Sequence, residues 1–323
     1  MRNAFIRGLT ALAQEDERVV LLTGDLGFKI FDDFARRFPG RFVNVGVAEA
    51  NMIGIAAGLA LGGYRPFAYS IAPFVTLRCL EQIRNDVCYN RAPVTIVGVG
   101  GGYSYGPNGP THHALEDIAV MRALPNMTVV CPGDPVEAEL AVLATRFHPG
   151  AIYLRLGRAG DAVAHAGRPE FRIGRAITLR PGRDCALIAT GAMLPVALAT
   201  AEILAGKDVS CRVVSMHTVK PLDQALLREC CAEHELLFTL EEHSKIGGLG
   251  GAVAEWLAAN FAPRRLHCFG AGDEFLHVSG RQSYLRETQG LTPGKIAEET
   301  LRLIRSLPAR TSGASSSALR GER

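Results

Sequence analysis

Short apolar runs rich in β-branched residues alternate with helix-period segments along nearly the whole chain, and this alternation most restricts its fold. Residues 19–23, 41–46, 94–99, 128–131 and 152–156 read as strands; residues 31–37, 49–61, 77–89 and 135–146 read as the helices between them. Parallel strands need a long crossover, usually a helix, so the pattern predicts an α/β fold with mostly parallel sheets. Residues 160–183 lose periodicity and gather Gly, Arg and Pro, as a connection does. A second unit then follows, with strands expected at 185–190, 211–215, 235–240 and 265–268. Its helices are expected at 194–205, 223–231, 251–260 and about 293–306. The chain therefore reads as two consecutive three-layer α/β domains, residues 1–165 and 184–308, joined by a linker at 166–183. A Ser/Gly/Arg-rich tail, 309–323, is expected to be disordered.

At 323 residues the chain has room for about two domains. Its net charge of +3, with basic residues scattered, argues against a nucleic-acid binder, which would carry a basic face. The 8 cysteines show neither CxxC nor metal-type spacing, and the vicinal pair Cys230-Cys231 reads as two reduced thiols. No leader-like apolar region follows Arg2, and no uncharged apolar run is long enough to span a bilayer. A soluble, cytoplasmic protein is the expectation.

Four places could carry chemistry. In the segment Asn44–Ala60, a strand end runs into an apolar helix packed with small residues, and one acid, Glu49, stands at its front. A carboxylate among apolar neighbours is costly unless it has a partner or a task, yet acids are also common in first turns as caps. Residues 98–113 take a strand into a glycine-rich loop that ends at His112 and His113; glycine permits close backbone approach to a ligand. Phe74 could stack on a flat heterocycle or simply fill core. Arg158 follows a strand end, where α/β ligands gather, and could grip a phosphate or sit at the surface.

Together these segments resemble the transketolase family, in particular its split form. There the pyrimidine-binding and C-terminal domains make one subunit and the diphosphate-binding domain another. The resemblance spans about residues 5 to 307. It rests on Arg41–Glu49 followed by Asn51-Met52-Ile53-Gly54, on Glu81-Gln82-Ile83-Arg84-Asn85, on Gly109-Pro110-Thr111-His112 and on Tyr153–Arg158. The second unit adds Val219–Asp223 and Glu241-Glu242-His243 before Gly247–Gly251, segments similar to deoxyxylulose-phosphate synthase.

The resemblance implies thiamine diphosphate as cofactor, with Glu49 hydrogen-bonding the pyrimidine ring and activating it. Phe74 becomes the aromatic wall of that ring, with Ile71 where a second aromatic is expected, and Asp25 lies on a loop approaching the cofactor. His112 and Asn108 would meet substrate oxygens, and Arg158 the substrate phosphate. Two positions depart from the family: Asn108 replaces an aspartate and Gly100 a histidine. Family members bind Mg²⁺ through Gly-Asp-Gly and an Asn pair. Here the four Gly-Asp dipeptides, at Asp25, Asp134, Asp161 and Asp273, lack the following glycine, and Asn-Asn is absent. The metal ligands are therefore expected from a second, diphosphate-binding subunit, in a heterotetramer or other dimer-based assembly.

The implied activity is transfer of a two-carbon ketol unit from a ketose phosphate to an aldose. A decarboxylating synthase like deoxyxylulose-phosphate synthase, the β subunit of a 2-oxo acid dehydrogenase and a non-catalytic scaffold subunit are the alternatives.

Overall fold

A computed structural model describes residues 1–158 and 160–306, so the tail expected to be disordered, 309–323, lies outside the described residues. The first sheet has seven strands: β1 (Val19–Thr23), β2 (Phe42–Asn44), β3 (Arg65–Ile71), β4 (Thr95–Val99), β5 (Met127–Val130), β6 (Ala151–Leu156) and β10 (Thr218–Lys220). The second has five: β7 (Ile177–Arg180), β8 (Cys185–Ala189), β9 (Cys211–Ser215), β11 (Leu236–Ser244) and β12 (Arg265–Ala271). Their orders are β10-β5-β6-β4-β3-β1-β2 and β12-β11-β8-β9-β7. Every pairing is parallel except the edge pairs β10–β5 and β7–β9. The expected α/β class with two mostly parallel sheets is what the chain adopts.

Helices cover both faces of the first sheet. Met52, Ile53, Ala56, Ala57 and Ala60 of the helix Glu49–Leu61 pack with Ala68, Ile83, Val94 and Ile96. On the other face the helices Arg2–Glu15 and Pro135–Ala144 pack with β1, β3 and β6 through Phe5, Leu9, Leu12 and Val142. Each fully buried Leu or Phe contributes roughly 1.5–3 kcal/mol, so these two layers hold the sheet against its helices. Gly8 lets the two outer helices meet: a Cβ there would stand 3.0 Å from the Glu139 carbonyl oxygen. No helix among the described residues is long and apolar enough to cross a membrane.

The structure adds elements that the periodicity does not reveal. The helix Arg2–Glu15 is absent from the sequence reading although Ala4, Phe5, Gly8, Leu9 and Leu12 repeat at helical spacing and are buried. So is the helix Gln282–Thr288, with only Leu285 buried to mark it. Within the stretch read as linker, Ile177–Arg180 forms the edge strand β7; four residues that are nowhere fully buried are too few to show alternation. β10 returns from the second unit to the first sheet, pairing with β5.

The helix expected at 77–89 is instead two pieces, preceded by a separate short helix. Ala72–Thr76 is followed by a one-turn piece, Leu80–Gln82, and a π-helical run, Ile83–Tyr89. The backbone breaks at Cys79 (φ −106°, ψ 13°), which leaves the neighbouring Arg78 exposed. Arg84 Nη1 donates to Asn85 Oδ1 at 2.8 Å.

Candidate active site

The site lies at the C-terminal ends of β1 and β3, the edge at which parallel sheets bind ligands. Glu49 is the first residue of its helix and only 2% exposed. It does not cap the backbone. Its Oε1 accepts from the Ser70 hydroxyl at 3.0 Å and its Oε2 from Arg78 Nη1 at 2.6 Å. Ser70 is the buried polar residue near the end of an apolar strand, and that incongruity was the available signal for it. Gly24 fits closely here, since a Cβ on it would stand 3.4 Å from Glu49 Cγ.

From Arg78 a row of planar groups continues. The guanidinium lies 4.5 Å from the centre of the Phe74 ring. Phe74 meets His112 edge-on at 5.1 Å, and His112 meets Tyr105 at 6.4 Å. The Arg158 guanidinium lies 5.1 Å over Tyr105. Each cation–aromatic contact contributes about 0.5–1 kcal/mol at exposed sites. Thr111 Oγ1 is 3.0 Å from His112 Nδ1 and orients the ring. The fold thus brings Glu49, Phe74, His112 and Arg158 into one line.

The other residues sit around this row. Asp25 is exposed at φ 58°, and its side chain accepts from Asn44 Nδ2 at 3.0 Å, while Asn44 Oδ1 takes the Asp25 and Gly46 amides. Asn44 therefore holds the Asp25 loop, a role its sequence position does not suggest. Ile71 ends β3 and is buried within the second core layer. Asn108 is exposed on a short 3₁₀ turn, Gly106–Asn108, beyond Tyr105.

Gly100 is accounted for by packing. Its φ is +84°, and a Cβ there would come within 2.1 Å of the Tyr105 ring. The phenol ring fills the space into which any side chain at position 100 would project. Beyond it, Arg158, Ser104, Gln282 and Arg286 line a cavity of about 280 Å³ between the two units.

A buried polar seam closes that junction. Arg155 Nε donates to Asp117 Oδ2 at 2.7 Å, Tyr153 OH donates to the same oxygen at 2.5 Å, and Arg155 Nη2 reaches the Ala114 and Glu242 carbonyls. Burial alone would raise Asp117, but the Arg155 charge and these bonds outweigh it and hold the carboxyl below its ordinary pKa. Glu242 accepts from the Tyr103 amide at 2.6 Å, Gln282 Nε2 at 2.9 Å and Arg286 Nε at 2.8 Å.

Glu241 and His243 stand 3.7 Å apart, but burial drives both towards neutrality. Glu241 is pushed up to about 7 and His243 down to about 4. The hydrogen bonds agree with a neutral ring: His243 Nδ1 faces the Ser244 carbonyl at 2.7 Å while Nε2 accepts the Ala119 amide at 3.3 Å. We therefore read the His243 ring as uncharged, while Glu241, whose oxygens accept the Leu249 and Gly250 amides, sits near its midpoint at neutral pH.

A buried acid and an aromatic ring thus stand close together at the carboxyl edge of a parallel sheet, where α/β proteins gather ligands. Two family models match the chain: the transketolase pyrimidine-binding domain over residues 1–159 and the transketolase C-terminal domain over residues 174–296. The chain belongs to the transketolase family.

Among its relatives is the 6-deoxy-6-sulfo-D-fructose transketolase subunit SqwH of Clostridium sp. (strain MSTE9), 39% identical and covering 92% of each chain. Another is a subunit of the apulose-4-phosphate transketolase of Phocaeicola vulgatus, 36% identical over 94% of this chain and 97% of its own. A solved structure described as a split gene transketolase, inactive beta4 tetramer, superposes with a TM-score of 0.87. It is 37% identical and covers 94% of this chain and 98% of its own. Among the described residues no three His, Cys, Asp or Glu side chains are grouped as a metal site.

Proposed function

We propose that this chain is the pyrimidine-binding subunit of a two-chain, thiamine diphosphate-dependent transketolase, moving a two-carbon ketol unit from a ketose phosphate to an aldose. The observation that carries this reading is the Glu49 carboxylate, buried at the front of its helix but turned towards Ser70 and the half-exposed Arg78 rather than towards the backbone.

The residues present suit the cofactor's aminopyrimidine. Glu49 offers a hydrogen-bonding carboxylate in a dry setting, and Phe74 a ring face that already carries one planar nitrogenous group. When bound, thiamine diphosphate supplies a carbon nucleophile that makes and breaks the bond to a carbonyl. Glu49 holds a proton position at the ring edge, where general acid–base help is worth about 10²–10⁴-fold. Phe74 fixes the ring plane. His112, held by Thr111, offers a ring nitrogen to the substrate oxygen on which charge develops. Arg158 presents to that cavity a cationic guanidinium suited to a phosphate.

Mg²⁺ is assigned to a diphosphate-binding partner subunit, because this sequence lacks Gly-Asp-Gly and an Asn pair. The solved relative described as an inactive beta4 tetramer, and relatives named as subunits, support an assembly in which this chain alone is incomplete. Co-expression with an adjacently encoded diphosphate-binding chain tests the reading. The pair should transfer ketol units with Mg²⁺ and thiamine diphosphate, and Glu49→Gln should cut kcat by about 10²-fold or more. Full activity of the Glu49→Gln pair would instead leave the chain as a scaffold, and CO₂ release from pyruvate would favour the decarboxylating alternative.

A further inference from the structure

Arg78 places its guanidinium in a position that combines two contacts expected of a bound aminopyrimidine. It donates to Glu49 Oε2 at 2.6 Å and lies within stacking reach of Phe74, 4.5 Å from the ring centre. Guanidinium is planar, aromatic-stacking and rich in in-plane N–H donors, as is the amidine edge of a 4-aminopyrimidine. The two partners differ sharply in setting: the Glu49 side chain is 2% exposed and that of Arg78 is 47% exposed. Arg78 reaches the acid from the solvent side, from the break at Cys79 between two short helical pieces. A long side chain hinged on such a break can swing out without disturbing the core.

We propose that Arg78 is the pocket's own stand-in ligand: it pairs with Glu49 and covers Phe74 while the cofactor is absent, and it must leave both before the pyrimidine can bind. This rests on the cofactor reading above. Arg78 is thus a positioning residue, keeping Glu49 paired, oriented and dry in the isolated subunit. The closed arrangement lowers the apparent affinity for cofactor by the fraction of time the slot is open. It also keeps the orphan subunit from leaving a buried acid without a partner.

The test measures thiamine diphosphate affinity, by calorimetry with Mg²⁺, in the complex of this chain with its diphosphate-binding subunit. Arg78→Ala should bind about tenfold tighter than wild type, the gain expected if the slot is open about a tenth of the time. Millimolar methylguanidinium, which refills the slot, should weaken Arg78→Ala binding back towards wild type and leave wild type unmoved. Arg78→Met, which keeps the stem without the planar cation, should match Arg78→Ala and guards against a folding defect in the smaller variant. Unchanged or weaker binding in both variants would overturn the proposal by showing that Arg78 is neutral or holds the ring in place. Failure of wild type itself to bind thiamine diphosphate would remove the cofactor reading instead.

Discussion

Glu49–Arg78 and Asp117–Arg155 are built from the same two kinds of group and serve opposite ends. At the interdomain seam both partners are buried, and Arg155 spends its donors on Asp117 and on the Ala114 and Glu242 carbonyls. Neither can leave without stranding a charge in a dry interior. In the candidate site only the acid is buried, and its arginine stands half in water. Such a partner can turn towards water without itself being desolvated. An acid–arginine pair is therefore informative through the exposure of its partner more than through its distance.

The contrast can be overturned by stability measurements. Arg155→Met should cost about 3–5 kcal/mol, because the Asp117 carboxylate is left buried and unpaired. Arg78→Met should cost less, about 1–2 kcal/mol, because Glu49 keeps its Ser70 hydrogen bond and the lost partner stood half in water. Urea midpoints measure both, and equal losses would erase the distinction between seam and pocket.

The seam also carries a hidden pH dependence. His243 is neutral when folded, so its burial costs stability as pH falls from 6.5 to about 4, where the unfolded ring is protonated first. Glu241 acts in the opposite direction, costing stability as pH rises from 4.5 to about 7, where the unfolded carboxyl ionises first. The two slopes oppose each other between 4.5 and 6.5 in the wild type. His243→Asn should expose the Glu241 slope, losing about 3 kcal/mol between those limits of 4.5 and about 7. Thermal unfolding across pH checks this, and a flat variant profile would show that Glu241 is ionised in the fold.

On the pocket side, Gly100→Ala should cost about 2 kcal/mol, because a Cβ at φ +84° meets the Tyr105 ring and forces it to move. A kinetic effect is expected at the far end of the row. Arg158→Lys should raise KM for a phosphorylated donor about tenfold with little change in kcat, since a point charge replaces a bidentate fork. Steady-state kinetics of the reconstituted pair would read it, and a fall in kcat alone would place Arg158 nearer the chemistry.

Much of the fold could be read along the chain because strand and helix periods are local. The helix Glu49–Leu61 is legible from end to end, and its lone acid stands out against Met52, Ile53, Ala56 and Ala57. The edge strand Ile177–Arg180 and the returning strand Thr218–Lys220 are not, since each is defined by a partner rather than by its own pattern. The helix expected at 77–89 fails for a related reason. Its hydrophobic spacing survives the break at Cys79, but the backbone path does not.

The α/β class, most of the alternating strands and helices and the candidate status of Glu49, Phe74, His112 and Arg158 were written in the sequence itself, because period, glycine content and an acid among small apolar residues are properties of neighbours. What the acid touches was settled only by folding. Ser70 and Arg78 reach Glu49 from 21 and 29 residues away, and the Tyr103 amide finds Glu242 across 139. Such pairings follow from how sheets and helices pack in three dimensions, where separation along the chain carries no information about distance.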